Sequence, residues 1–367
     1  MDLRQLNRAS LRRQLLLDRA DSPVGAAVEQ VGGLQAQAPN APYVGLWSRL
    51  RDFRATELAD ALQDRRLVRT TLQRATIHLV TAADAVAWYP LIRPVMARGF
   101  ATNFGRRLPD VDLTELVDAA TTLLADRPST RVELGQALAA RWPGRDTTAL
   151  AQAATYLVPV VQVPPRGIWG STGKAAWQST PTWLPGTHPT PATLDDLVLR
   201  GLAAFGPATV RDLQTWCGLT RLREVTDRLG ARLRAYSGEH GVTLFDLPDA
   251  ELPDPDTPAP PRFLPEYDNL LLSYADRARV GADHRAVPLP PGIGGVAGSV
   301  LVDGFWRADW RLRRDGDTAT LVVEPFDRLP RRDVAEVTAE GRRLLGFIAP
   351  DAERNDVVCT PSSVRSR

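Results

Sequence analysis

Two glutamines two residues apart, Gln35 and Gln37, stand in the run Leu34-Gln35-Ala36-Gln37-Ala38-Pro39-Asn40. An amide neither takes nor gives a catalytic proton near neutral pH, so the pair cannot act as an ordinary general base. What two amides can do is set donors and acceptors in fixed positions, enough to hold and orient one water molecule. Such a device drives hydrolysis only where the leaving group is already activated. The N-glycosidic bond of a base made cationic by alkylation is one such case. The plainer reading is a Gln-x-Gln on the solvated surface of a helix end.

The backbone decides between them. Residues two apart point roughly 200° apart in a helix and share a face in an extended segment. A helix leads in: Ser22 can cap it, Pro23 suits its first position, and Val24, Ala27, Val28, Val31 and Leu34 form an apolar stripe. Gly32-Gly33 then weakens the helix, and Pro39 pushes Ala38 toward an extended conformation. If the helix has ended by Leu34, the two amides lie side by side.

Other candidate chemistry is thinner. Gly170-Ser171-Thr172-Gly173-Lys174 resembles a phosphate loop, but its spacing is wrong and Ala175 stands where a hydroxyl residue is required. Histidines 78, 188, 240 and 284 have no metal-ligand spacing to one another or to Cys217 and Cys359. His78, in the alternating run Thr76–Val80, reads first as a satisfied structural histidine and second as a functional one. No nucleophile-elbow serine is present. Arg166-Gly167-Ile168-Trp169 sits at a hairpin tip. It either inserts into nucleic acid or packs back on its own domain.

The whole chain sets bounds on these readings. At 367 residues, 44% hydrophobic and 24% charged, it suits two to four ordinary globular domains. Two cysteines make no disulfide framework and fit a reducing compartment. No apolar run approaches ~18 residues, and no apolar segment follows the helical Arg4, Arg8, Arg12 and Arg13, so a cytoplasmic protein off the membrane is expected. The net charge of +2 hides an asymmetry: residues 1–107 hold 16 arginines against 9 acidic residues, a local +7, while the rest is slightly acidic. A basic surplus around the glutamine pair suits a polyanionic partner. Arg65, Arg66, Arg69 and Arg74, with Arg166, Trp169, His78 and Lys174 (the one lysine), are the candidate DNA contacts.

The elements that must position the pair follow in order. Leu3–Arg19 reads as an amphipathic helix, Pro42–Leu50 as a short one, and Thr56–Leu62 as a helix capped by its threonine. Leu67–Leu72 and Thr76–Val80 read as strands, and Asp84–Phe100 as a helix bent or broken by Pro90 and Pro94. Thr56, Thr130 and Thr209 each open a similar helix, followed by another helix or a β segment. Helix, turn, helix, hairpin is the winged-helix pattern, here three times. The expected class is therefore α+β: three tandem winged-helix domains followed by a C-terminal β-barrel-like domain. The boundaries are 1–107, 108–190 and 191–250, a Pro-rich linker 251–261, the barrel-like domain 262–350 with strands at Asn269–Tyr274, Ser299–Val302, Trp306–Arg313 and Thr318–Val323, and a tail 351–367.

Over residues 4–350 the chain resembles the AlkZ-type winged-helix DNA glycosylases, abundant in actinobacteria. The resemblance rests on Leu34-Gln35-Ala36-Gln37, Thr76–Val80, the run Phe263–Ser273 (FLPEYDNLLLS) and Leu301–Phe305 (LVDGF). Gln37 places it in the Gln-aliphatic-Gln branch, with Gln35 and Gln37 at the catalytic positions. The resemblance implies monofunctional excision of N7-alkylated purines around a DNA-binding channel, cross-link unhooking in some members, and self-resistance beside genes for alkylating natural products. The expected partner is double-stranded DNA with an alkylated or cross-linked guanine, met by a monomer at the nucleoid without cofactor or metal. Two rivals keep the winged helices without the chemistry: a transcriptional regulator indifferent to the glutamines, and a protein-interaction module with no salt-dependent DNA affinity.

Overall fold

The computed structural model describes residues 1–281 and 297–360; His284 and residues 361–367 of the expected tail lie outside them. The first part of the chain forms α1 (Leu3–Arg13), α2 (Val24–Gln30), β1 (Leu34–Gln35), α3 (Ala41–Arg49), α4 (Ala55–Gln63), β2 (Leu67–Thr71), β3 (Ile77–Thr81) and α5 (Ala82–Asn103). Then come α6 (Leu113–Asp126), β4 (Ser129–Thr130), α7 (Arg131–Ala139), α8 (Thr147–Leu157), β5 (Val160–Val163), β6 (Ala176–Ser179) and α9 (Thr180–Trp183). A third group holds α10 (Leu194–Phe205), α11 (Val210–Cys217), α12 (Leu222–Leu229), β7 (Arg234–Ser237) and β8 (Thr243–Asp246). The last is β9 (Arg262–Leu264), α13 (Asn269–Leu272), β10 (Gly298–Val302), β11 (Phe305–Asp315), β12 (Thr318–Pro325), α14 (Arg331–Ile348) and β13 (Arg354–Cys359).

The class is α+β, with antiparallel sheets save for one parallel pair, β12 with β13. Helix, short strand, helix, helix, hairpin recurs from α2, from α6 and from α10; in the last, the short strand shrinks to the single bridge Ala208–Phe245. Thr130 and Thr209 cap α7 and α11, each answered by an acidic residue three positions on, Glu133 and Asp212. Thr56 does not: α4 starts at Ala55, and Glu57 reaches back to the Arg54 N–H at 3.0 Å. Ser22 likewise leaves α2 uncapped, because Pro23 is itself the N-cap residue. α5 runs through Pro90 and Pro94, held by buried Trp88, Ile92, Val95 and Met96.

The first two repeats are fused by a six-stranded sheet of order β1-β3-β2-β5-β6-β4, whose seam pairs Arg69 with Gln162 and Thr70 with Val161. The boundary at 107 divides the chain but not this sheet. The C-terminal strands form a five-stranded sheet, β13-β12-β11-β10-β9, open among the described residues, with Val337, Leu344 and Leu345 of α14 against it. Two expectations change here. Asn269–Tyr274 supplies a buried one-turn helix, α13, whose N–H at Leu270 is capped by Asp268 at 3.0 Å, where a strand was expected. Residues 354–359 of the expected tail add an edge strand. The Pro-rich linker lies along α1, its carbonyls at Pro255 and Thr257 taking N–H bonds from Arg4 (2.9 Å) and Arg8 (2.7 Å). One core cluster contains Leu11, Val80, Leu202, Trp216 and Leu271, so first repeat, third repeat and α13 share an interior.

Candidate active site

The helix ends early enough. α2 stops at Gln30, and Gly32 and Gly33 turn the chain at φ +74° and +86°. That conformation favours glycine, and at Gly33 there is no room for more, since a Cβ would meet Val80 Cγ1 at 2.9 Å. The turn delivers β1 to the edge of β3, pairing Leu34 with Leu79 and Gln35 with His78. Ala36 N–H continues the contact to Ile77 O at 2.7 Å. Gln35 is 7% exposed, and Gln37 is exposed. Both side chains line one cleft of about 340 Å³, with Arg74, Thr76, Thr215, Tyr267, Leu272 and Arg277. The walls come from the first repeat, from α11, and from α13 with the turns on either side of it.

Obligate donors set the orientation of both amides. Arg74 Nη2 donates to Gln35 Oε1 at 2.8 Å, and a guanidinium has no lone pair to offer, so the facing atom is oxygen. Ile77 N–H donates to Gln37 Oε1 at 3.2 Å and fixes the second amide in the same way. Each Nε2 is left without a protein partner among the described residues, and each oxygen keeps its second lone pair.

Arg74 is itself fixed. Its backbone sits at φ +54°, Nη1 donates to Trp216 O at 2.8 Å, and Nη2 also reaches His78 Nε2 (3.3 Å) and Asn269 Oδ1 (3.5 Å). His78 Nδ1 lies 2.9 Å from Thr76 O, which can only accept; Nδ1 therefore carries the proton and Nε2 faces Arg74 as acceptor. Burial, with Arg74 alongside, holds the His78 pKa down at about 3, so the ring stays neutral. Burial also lowers Arg74 to about 10, which leaves it charged at neutral pH. Asn269 Nδ2 donates to Gly33 O at 2.6 Å and ties α13 to the turn ahead of the glutamines. Among the described residues no Asp, Glu or Lys lines the cleft, and no cluster of His, Cys, Asp or Glu is placed to hold a metal.

The remaining sequence candidates scatter. Arg69 is 1% exposed and donates to Ala36 O at 2.7 Å, holding the residue between the two glutamines. His78 is fully buried. Both were expected to face DNA, and neither has a surface to give. Trp169 packs back, though not on its own repeat: its ring lies 4.9 Å from Tyr43 and 5.2 Å from Phe347, and its backbone N–H donates to Tyr43 Oη at 3.0 Å. Arg166 is half-buried beside Gly173 O, and Lys174 is exposed. Arg65 lies over the Trp183 ring at 4.0 Å and Arg66 pairs with Asp64 at 3.3 Å, both on the surface. Of the DNA candidates, only Arg74 lines the cleft. Thr215, Tyr267, Leu272 and Arg277 complete it and were not picked out from the sequence; only the FLPEYDNLLLS run, which contains Tyr267 and Leu272, pointed there.

No curated protein matches the chain. Among solved structures it is similar to the Streptomyces sahachiroi DNA glycosylase AlkZ, at 20% identity and a TM-score of 0.74, covering 98% of this chain and 100% of that one. At that identity the likeness is one of fold. The family model for AlkZ-like DNA glycosylases matches residues 28–347, a span that holds the glutamine turn, the cleft, the whole six-stranded sheet and every strand of the five-stranded one but β13. By that match the chain belongs to the AlkZ-like DNA glycosylase family.

Proposed function

We propose that the chain is a monofunctional glycosylase that hydrolyses the N-glycosidic bond of N7-alkylated purines in double-stranded DNA. Gln35 and Gln37 are its catalytic residues. The observation that carries this reading is the pair of oriented amides facing one cleft that, among the described residues, no carboxylate or lysine lines.

The chemistry suits neutral groups. An N7-alkylguanine is cationic and leaves readily, so the site need not protonate it. What remains is to place a water against C1′ and to stabilise the oxocarbenium character that develops there. Each amide oxygen has a lone pair for a water proton, and each Nε2 can hold the water oxygen. Without a lysine in the cleft there is no Schiff base and no strand cleavage by that route. The cleft is open and built between repeats, so it suits adducts too large to be flipped into a tight pocket, cross-linked guanines included. The recurring helix-helix-hairpin units serve as three winged helices and the C-terminal sheet as the barrel-like module. The exposed Arg65, Arg66 and Lys174, with the half-buried Arg166, contribute charge contacts to the DNA backbone. A monomer at the nucleoid, protecting its host from an alkylating natural product, fits this chemistry.

Product analysis tests it. A duplex carrying one N7-methylguanine should release the free methylated base, seen by mass spectrometry, and leave the strand intact until it is heated. A duplex bound tightly but never stripped of its base would leave only a DNA-binding role.

A further inference from the structure

The cleft carries a charge that its proposed leaving group does not call for. Arg74 and Arg277 both line it. Arg74 is committed to Gln35, the Trp216 carbonyl, His78 and Asn269. Arg277 is not. It is half-buried on the loop after α13, and among the described residues its guanidinium has no hydrogen bond or ion pair. Its backbone is nonetheless anchored, since Arg277 O accepts from Val280 N at 2.9 Å and Gly281 N at 2.8 Å. Burial lowers its pKa, a sign that its charge is poorly solvated where it stands.

A desolvated guanidinium without a partner is costly and is retained where a ligand brings the anion. A cationic base cannot be that anion; it would be repelled by two arginines. Every nucleotide, however, brings its own phosphates, and a planar guanidinium matches a phosphate with two parallel bonds. In the same cleft, Tyr267 (held at φ +60°) and Leu272 supply apolar surface suited to a sugar.

We propose that Arg277 is the phosphate-binding residue of this cleft. Its guanidinium takes a backbone phosphate next to the target sugar and so sets C1′ against the Gln35–Gln37 pair. This rests on the glycosylase reading, and it makes Arg277 a positioning residue whose work is done through DNA and not through a protein contact.

The test pairs one protein change with one phosphate change. Wild type and Arg277→Gln are compared on an N7-methylguanine duplex and on duplexes with a neutral methylphosphonate at a single phosphate, 5′ or 3′ of the lesion. Excision and binding are both read. At one position the methylphosphonate and Arg277→Gln should each slow excision by about tenfold or more, and together should cost no more than either alone. The salt dependence of binding should lose about one phosphate contact, a change of ~0.9 in the log–log slope. Arg277→Lys should restore part of the loss, and the melting temperature of Arg277→Gln should match wild type. Multiplying effects at every phosphate, or an unchanged salt slope, overturn the proposal. If wild type excises nothing, the glycosylase reading fails by itself, while the binding cycle still decides whether Arg277 holds a phosphate.

Discussion

Arg74 donates to Gln35 Oε1 at 2.8 Å, and that single bond decides which end of the amide turns to the cleft. Arg74→Lys keeps the charge but cannot serve Gln35, Trp216 O and Asn269 from one rigid fork. Single-turnover excision should fall by about 10²-fold with DNA affinity little changed, because a reactant is misplaced and not lost. Equal losses in rate and affinity would mark Arg74 as a DNA contact instead.

His78 makes a prediction about pH. Its folded pKa is depressed to about 3 from an ordinary 6.5. Between those values the unfolded chain binds a proton that the folded chain refuses, so stability rises with pH across the window and drains away as pH falls, by ~1.4 kcal/mol per unit. Urea midpoints between pH 6.5 and 5, above most carboxylate titrations, should show a slope shallower by about one proton in His78→Gln. Coincident slopes would mean that His78 is not buried neutral.

Arg49 and Asp268 form a fully buried bidentate pair at 2.9 and 2.8 Å, joining α3 to the cap of α13. Asp268→Ala strands a buried cation and should cost ~3–5 kcal/mol in denaturant unfolding. Replacing both partners by apolar residues should recover much of that stability. Excision should stay low in the double variant, since Asn269 follows the cap and anchors Gly33 O at 2.6 Å.

Two glycines ahead of the glutamine pair should respond oppositely to alanine. Gly33→Ala meets φ +86° and Val80 at 2.9 Å and should cost roughly 1–3 kcal/mol while shifting β1. Gly25→Ala, in α2 with nothing within 4 Å, should stabilise the chain by up to about 1 kcal/mol. Thermal melts of the two variants check this; matching shifts would contradict the strained turn.

What could be read in advance was mostly local. Gly32-Gly33 marked the end of α2 and the extended Gln35 because the glycines act through their own backbone, whereas Gln37 and Ala38 ahead of Pro39 lie in a bend. Thr130 and Thr209 announced their helices for the same reason, and the cap at Arg54 was missed because Glu57, not Thr56, makes the reciprocal bond. Asn269–Leu272 was misread because four buried residues carry no period to separate a strand from one helical turn. The non-local features left no such trace. The β2–β5 seam, the parallel β13, and the meeting of Thr215 and Arg277 with residues 35–76 depend on how distant segments dock.

The glutamine pair itself is tested by single-turnover excision of N7-methylguanine under saturating protein, wild type beside Gln35→Ala and Gln37→Ala, with duplex binding measured in parallel. The expected result is abasic sites in wild type, exposed by heat or alkali, and a loss of about 10²-fold or more in each variant with binding retained. Wild-type rates in both variants would remove the pair from the chemistry.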